Sequence, residues 1–451
     1  VFRSLDDIES LITSVNIIPG TTEFGYDTTE ITRTGGAGVT LAENRHTTEE
    51  KTDWSVAVDQ LQATCPNLAS VSLVVTWFGN DLRCANCDIR PGIENRTKIT
   101  APESWLVAGE TRGSAHQVST YDNRPAFGGT PTDASVIRAI QDLKSRGLKV
   151  TVYPFLIMDV PAGNVLSNPY TGTPGQPVYP WRGEITCNPA PGVSNTVDKT
   201  AAATSQINSF FGTAQTSDYS TGSGIVIYSG AVDWSLRRMI LHYANLCKLA
   251  GGVDTFLISS ELRNLTQVRD SAVNYPAVDL LATLAGDVKS ILGIQTGVSY
   301  AADWSEYFGH QPQDGSNDVF FHLDDLWASA DIDFIGIDNY MPLSDWRDGD
   351  NHQTARMASA RFTIATTSKE ISPVAKALTG FMPMTVTGHY RCGHLSAMAL
   401  ITSRGCFATR ISQTGGKTLT IIAPVVWKMQ PRPPGCHSPN LLSLPNSAVR
   451  P

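Results

Sequence analysis

From residue 53 onward the apolar positions switch between two spacings. Residues 53–65 (DWSVAVDQLQATC) space them three and four apart, as on one helix face, and residues 69–78 (ASVSLVVTWF) follow as a nearly unbroken apolar run. The same unit returns at 132–147 and 148–158, where Asp133 reads as the helix cap. Val136, Ile140 and Leu143 share a face there, and Gly147 marks the end. It returns again at 233–252 with 253–262, at 277–293 with 294–304, and at 322–330 with 331–341. Five helix-then-strand pairs with continuous apolar strands predict a parallel sheet covered on both faces. A doubly wound sheet is the competing arrangement, but the glycines of STGSGIV (220–226) lack the spacing of a phosphate loop. The expected fold is therefore α/β, a (β/α)8 TIM-barrel-like ring. Residues 88–132 and 160–225, rich in Gly, Pro, Ser, Thr and Asn, read as long loops after strands. Residues 1–45 show little period beyond LDDIESLITSV (5–15).

In such a ring the chemistry lies where the strands end. The first predicted strand ends in Trp77, Asn80 and Asp81, and the second supplies Tyr153 and Asp159. The third ends in Glu261 and Arg263, the fourth in Tyr300, Asp303 and Trp304, and the fifth in Asp338, Asn339, Tyr340 and Trp346. Aromatic rings interleaved with carboxylates and amides suit a sugar site, because ring faces stack on pyranose C–H groups and the polar groups take hydroxyls. Glycoside hydrolysis normally uses two carboxyl groups, and Glu261 is the candidate acid/base. Its plain structural alternative is an ion pair with Arg263 or another neighbour. Asp303 and Asp338 are candidates for the second carboxyl, and each could equally cap a helix or hold a loop amide.

Composition adds one break. Residues 351–451 hold eleven of the 34 Lys/Arg but one of the 42 Asp/Glu, so residues 1–350 carry 23 basic against 41 acidic groups. An acidic body argues against direct nucleic-acid binding. No apolar run approaches the roughly 20 residues of a membrane span. Cys84 and Cys87 form a single CxxC that Cys187 could join in space, a weak metal signal that leaves a metal-dependent enzyme as a third reading. No metal or cofactor is assigned.

Four stretches, 53–94, 148–161, 256–270 (FLISSELRNLTQVRD) and 333–348 (DFIGIDNYMPLSDWRD), resemble the glycoside-hydrolase TIM-barrel-like domain of gene transfer agent and phage tail-tip (baseplate) proteins. The likeness runs in order from about residue 45 to about residue 350. It implies a barrel of the retaining-glycosidase type within a larger tail protein, with residues 1–45 as a lead-in and 46–350 as the barrel. The chain opens without Met, as a piece of such a protein would.

The family barrel continues with a late strand of the form FTELGCPA, whose Glu would face the position of Glu261. This chain departs from that pattern after Asp350, so the barrel is expected to be incomplete at its C-terminal end. Reading the codons of residues 421–435 from their third base forces Glu from Trp427-Lys428 and Ala from Met429-Gln430. The closing PNSAVRP likewise permits Glu-Leu-Gly-Cys-Pro-Ala. Residues 351–451 thus read as an aberrant basic tail with the character of a frameshifted translation. The resemblance implies other tail and baseplate proteins and bacterial cell-surface or cell-wall glycan as partners, and a place in a virion tail or gene transfer agent particle made in the bacterial cytoplasm. The expected function is glycan binding by a barrel inactive in this form; the alternative is a retaining glycoside hydrolase acting on envelope polysaccharide.

Overall fold

The computed structural model describes residues 8–340 apart from Gln313, together with the backbone of five strands between residues 385 and 428. Six parallel strands form the body in chain order: β1 (Ser14–Ile17), β2 (Ser70–Gly79), β3 (Lys149–Met158), β4 (Thr255–Ser260), β5 (Gly297–Asp303) and β6 (Phe334–Asp338). They curl into a half-barrel. The sheet takes its first strand from within residues 1–45, since Ser14 pairs with Ser70 and Ile17 with Leu73. β2 and β3 pair along their whole length, from Ser70 with Lys149 to Gly79 with Met158. These six successive strands fall short of eight among the described residues, and on the far side of β1 the strand Phe407–Ser412 also pairs parallel, Val15 with Phe407. Beyond β6 the sheet continues antiparallel, with Phe334 opposite Lys428. The tail reading over 351–451 otherwise lies outside the described residues.

The helices form where the period predicted them. α1 (Asp53–Thr64) is capped by Thr52, whose hydroxyl accepts from the Ser55 amide at 3.3 Å. α2 (Asp133–Ser145) is capped by Thr132 and not by Asp133. Asp133 is the first helical residue, and its carboxylate is taken by the Ala108 amide and by His242 at 2.9 Å. Val136, Ile140 and Leu143 are fully buried, each contributing about 1.5–3 kcal/mol through apolar burial. α3 (Ala201–Phe211) forms inside the long 160–225 segment, α4 (Leu236–Leu249) and α5 (Pro276–Leu292) flank β4, and α6 (Asp324–Ala328) precedes β6.

Two cores result. The large one lies between the helices and the convex face of the sheet; the small one, with Val74, Tyr153, Leu257, Ala301 and Phe334, lines the concave face. β4 carries a bulge: Leu257 pairs with Ser299 but Ser260 with Ala301, so β4 takes three steps while β5 takes two. That bulge ends directly at Glu261.

Candidate active site at the strand ends

Glu261 sits just past β4, at the C-terminal mouth, in a left-handed conformation with φ of 51°. Such a backbone costs about 1–3 kcal/mol for a non-glycine residue and must be held by its surroundings. Here the Glu261 amide donates to the Ala301 carbonyl at 2.8 Å, and the Leu262 amide donates to the Tyr300 hydroxyl at 2.6 Å. Behind Tyr300 stands Glu306, buried, accepting from Thr266 Oγ1 at 2.8 Å and from the Asp303 amide at 2.7 Å. Burial raises the Glu306 carboxyl to about 7.

The Glu261 carboxylate is 3% exposed. Its Oε2 accepts from the Trp181 indole N–H at 2.6 Å and lies 3.0 Å from a terminal nitrogen of Arg182. The same nitrogen is 3.9 Å from Asp338 Oδ2. Arg182 is itself buried, with its guanidinium 3.7 Å over the Phe155 ring and its Nε donating to the Ser260 carbonyl at 3.1 Å. Tyr153 donates its hydroxyl to Asp338 Oδ2. Burial first, and the Glu261 charge second, hold the Asp338 carboxyl well above the ordinary carboxylate range. Burial and the neighbouring Asp338 push the Tyr153 phenol up as well.

Above this pair opens a cleft of about 680 Å3 lined by Trp181, Arg182, Glu261, Arg263, Asp303, Trp304, Ser305 and Tyr340. Five residues named from the sequence therefore line one cavity: Glu261, Arg263, Asp303, Trp304 and Tyr340. Asp303 caps the turn Trp304–Phe308, accepting from the Ser305 amide at 3.0 Å. Tyr340 is half exposed at the rim. Tyr153 and Asp338 lie beneath the cleft.

Other expected residues fall elsewhere. Trp77 is fully buried on the helix side of β2, its ring 5.7 Å from His242 and 6.1 Å from Tyr243. Alternation along β2 turns Val74 inward and Trp77 outward. Tyr300 also faces the helix layer, where it supports Leu262 from behind. Asp81 ties Arg83 at 2.6 Å and Gln176 at 2.6 Å, and Asn80 accepts from the Asp88 amide. Asp159 accepts from the Ser119 amide and lies 2.7 Å from His116, and these contacts hold its carboxyl low against the burial that opposes them. Asn339 is half-buried beside Tyr340, and Trp346 lies outside the described residues.

The pair expected between Glu261 and Arg263 is made by Arg182 instead. Trp181 and Arg182 come from YPWRGEI within the long loop, where only an Arg beside a Trp hinted at them. Cys84, Cys87 and Cys187 are buried free thiols, and burial pushes Cys87 and Cys187 up to about 12. They do not converge as a ligand set; among the described residues the one three-ligand cluster is Glu23, Glu43 and Glu94. The Lys98 ammonium fills that cluster at 2.6–2.9 Å.

A parallel half-barrel with carboxyls and aromatic side chains at its C-terminal mouth defines a TIM-barrel-like protein. Residues 234–372, which carry Glu261, Arg263, Asp303 and Asp338, match the family model of the GTA TIM-barrel-like domain. Among solved structures, a GH113 beta-1,4-mannanase complex aligns at 13% identity and a TM-score of 0.31, over 68% of this chain and 60% of that one. The GH113 beta-mannanase of Alicyclobacillus acidocaldarius in complex with ManMIm aligns at 14% identity and a TM-score of 0.29, over 62% and 54%. The chain thus spans about three fifths of the length of these enzymes or less. No curated protein matches it. Among the described residues no helix is long and apolar enough to cross a membrane.

Proposed function

We propose that this chain is a tail-tip component of a gene-transfer-agent or phage-like particle whose half-barrel binds cell-surface or cell-wall glycan without cleaving it. The observation that carries this reading is the state of the two carboxyls. Glu261 reaches the cleft, but its Oε2 is already held by Trp181 and Arg182. Asp338 is buried, bonded to Tyr153, and does not line the cleft. A two-carboxyl hydrolase needs both groups in reach of the glycosidic bond. Trp181, Trp304 and Tyr340 remain to hold sugar rings. The particle and its other tail and baseplate proteins would be the setting, with synthesis in the bacterial cytoplasm.

Titration calorimetry of the purified chain against soluble envelope polysaccharide fragments tests the binding. Saturable binding that survives Glu261→Gln and yields no new reducing ends is expected. No binding to any envelope fragment would refute it. Co-sedimentation of the chain with intact particles tests the setting.

One observation favours retaining hydrolysis as the second reading. Glu261 and Asp338 approach the same nitrogen at 3.0 and 3.9 Å and also meet each other through a side-chain hydrogen bond. That is the retaining side of the distinction between roughly 5 Å and 6.5–9.5 Å separations. New reducing ends released by the wild-type chain and not by Glu261→Gln would favour it.

A further inference from the structure

The cleft holds two arginines in different circumstances. Arg182 is neutralised by Glu261, stacked on Phe155 and bonded to Ser260. Arg263 lines the same cleft, yet its Nε is buried without a hydrogen-bond partner, and among the described residues no carboxylate pairs with it. A buried Nε with no acceptor is costly, and a guanidinium that lines a cleft without a carboxylate partner stands ready to meet a ligand's acceptor with its terminal nitrogens.

The nearby acids are already committed. Glu261 Oε2 belongs to Trp181 and Arg182, and Asp303 accepts from the amide and hydroxyl of Ser305. Asp338 takes the Tyr153 hydroxyl beneath the floor and does not line the cleft. The backbone holds Arg263 in place: Leu262 before it is bonded to Tyr300, its own carbonyl accepts from Thr266 at 3.0 Å, and Asn264 after it donates to Tyr170 at 2.7 Å. Among the described lining residues Asp303 is bonded only to the neutral Ser305, and Arg263 is the cation with no carboxylate partner, its backbone fixed. Its planar fork matches a carboxylate in a two-point contact that a hydroxyl cannot reproduce.

We infer that Arg263 selects an acidic glycan, one bearing a carboxylate on the sugar seated between Trp304 and Glu261. This rests on the glycan-binding reading and adds the substrate class to it. The acidic body of the chain works against a polyanion only at long range. At physiological salt such repulsion is screened beyond about 8 Å, so it slows encounter more than it weakens the seated contact.

Calorimetry with the full chain tests this using an oligogalacturonate, a neutral manno-oligosaccharide of equal length, and a sulfated neutral oligosaccharide. The uronate is expected to bind at least about 10-fold tighter than the neutral oligomer. Arg263→Gln should weaken uronate binding at least about 10-fold more than it weakens neutral binding, while Arg263→Lys should keep only part of the preference, because an ammonium lacks the fork. Sulfate binding as tight as uronate would overturn the carboxylate assignment. Neutral binding equal to uronate binding, or equal loss of both in Arg263→Gln with wild-type unfolding behaviour, would overturn the inference and leave the glycan reading standing. Failure of every oligosaccharide to bind would remove both.

Discussion

Arg182 approaches Glu261 and Asp338 with one nitrogen, and all three side chains are buried. Removing one member of such a group leaves a charge without its counterion, typically at about 3–5 kcal/mol. Arg182→Met should therefore lower stability by that order at pH 7. Urea unfolding of the variant against the wild type measures this, and a deficit below about 1 kcal/mol would contradict the arrangement. Glu306 gives the second test. Burial raises its folded carboxyl to about 7, above the ordinary 4.5, so between these values the native state holds a proton that the unfolded chain has released. Its contribution is fully present below about pH 4.5 and is lost as pH rises through about 7, at most about 3 kcal/mol. Glu306→Gln should flatten that slope while still accepting from Thr266. At this scale the sequence disclosed Glu261, because a carboxylate ending an apolar strand is conspicuous, and it raised Asp338 as a partner. It hid Trp181 and Arg182, since a loop without period says nothing about which strand end its side chains will reach.

Between elements, close packing sets the tolerances. A methyl group on Gly336 of β6 would come 2.5 Å from the Tyr300 carbonyl on β5. Gly336→Ala should therefore push two paired strands apart beneath Asp338 and cost about 1–3 kcal/mol, read as a lowered Tm. The segment from Gly309 to His322 carries a pH response of its own. His310 bonds Tyr275 at 3.0 Å and His322 lies 3.2 Å from Thr266, and burial lowers both rings to about 4. Arg269 beside His310, and Arg263 together with His310 beside His322, lower them further, while Asp198 and Asp314 oppose this at His310. Because these folded values lie below the ordinary 6.5, stability from this segment is present above pH 6.5 and is lost as pH falls toward 4. Hydrogen exchange over residues 309–322 should accelerate at pH 4.5 relative to pH 7 before the β2–β3 amides respond. The five helix–strand pairs were legible because their apolar faces repeat over many residues. β1, only four residues long, and α3, set inside a Gly- and Pro-rich stretch, offered too short a pattern. The face of β2 was hidden for another reason: a strand apolar at nearly every position does not show which side is which.

Over the whole molecule, the charge break at residue 350 and the half-barrel bear on one proposal. The six parallel strands end at Asp338, and the family's late Glu-bearing strand has no counterpart in the chain as read. We propose that residues beyond about 350 are translated out of frame. Sequencing the gene should reveal a shifted codon phase near residue 350, and an intact frame through Pro451 would end the idea. A frame-restored chain should unfold at a higher temperature than this one, because a closed barrel leaves no sheet edge, whereas this sheet ends in the strands Thr385–His389 and Val425–Lys428.

The extra residue in β4 has a consequence for inheritance. Between Leu257 and Ser260 this strand spends one residue more than its neighbour, and Glu261 follows at once. Loss of a single codon from 258–260 would restore step-for-step pairing and turn everything downstream by half a revolution, sending the carboxylate toward the helices. Descendants of this gene should tolerate changed letters at those three codons far better than a changed number of them.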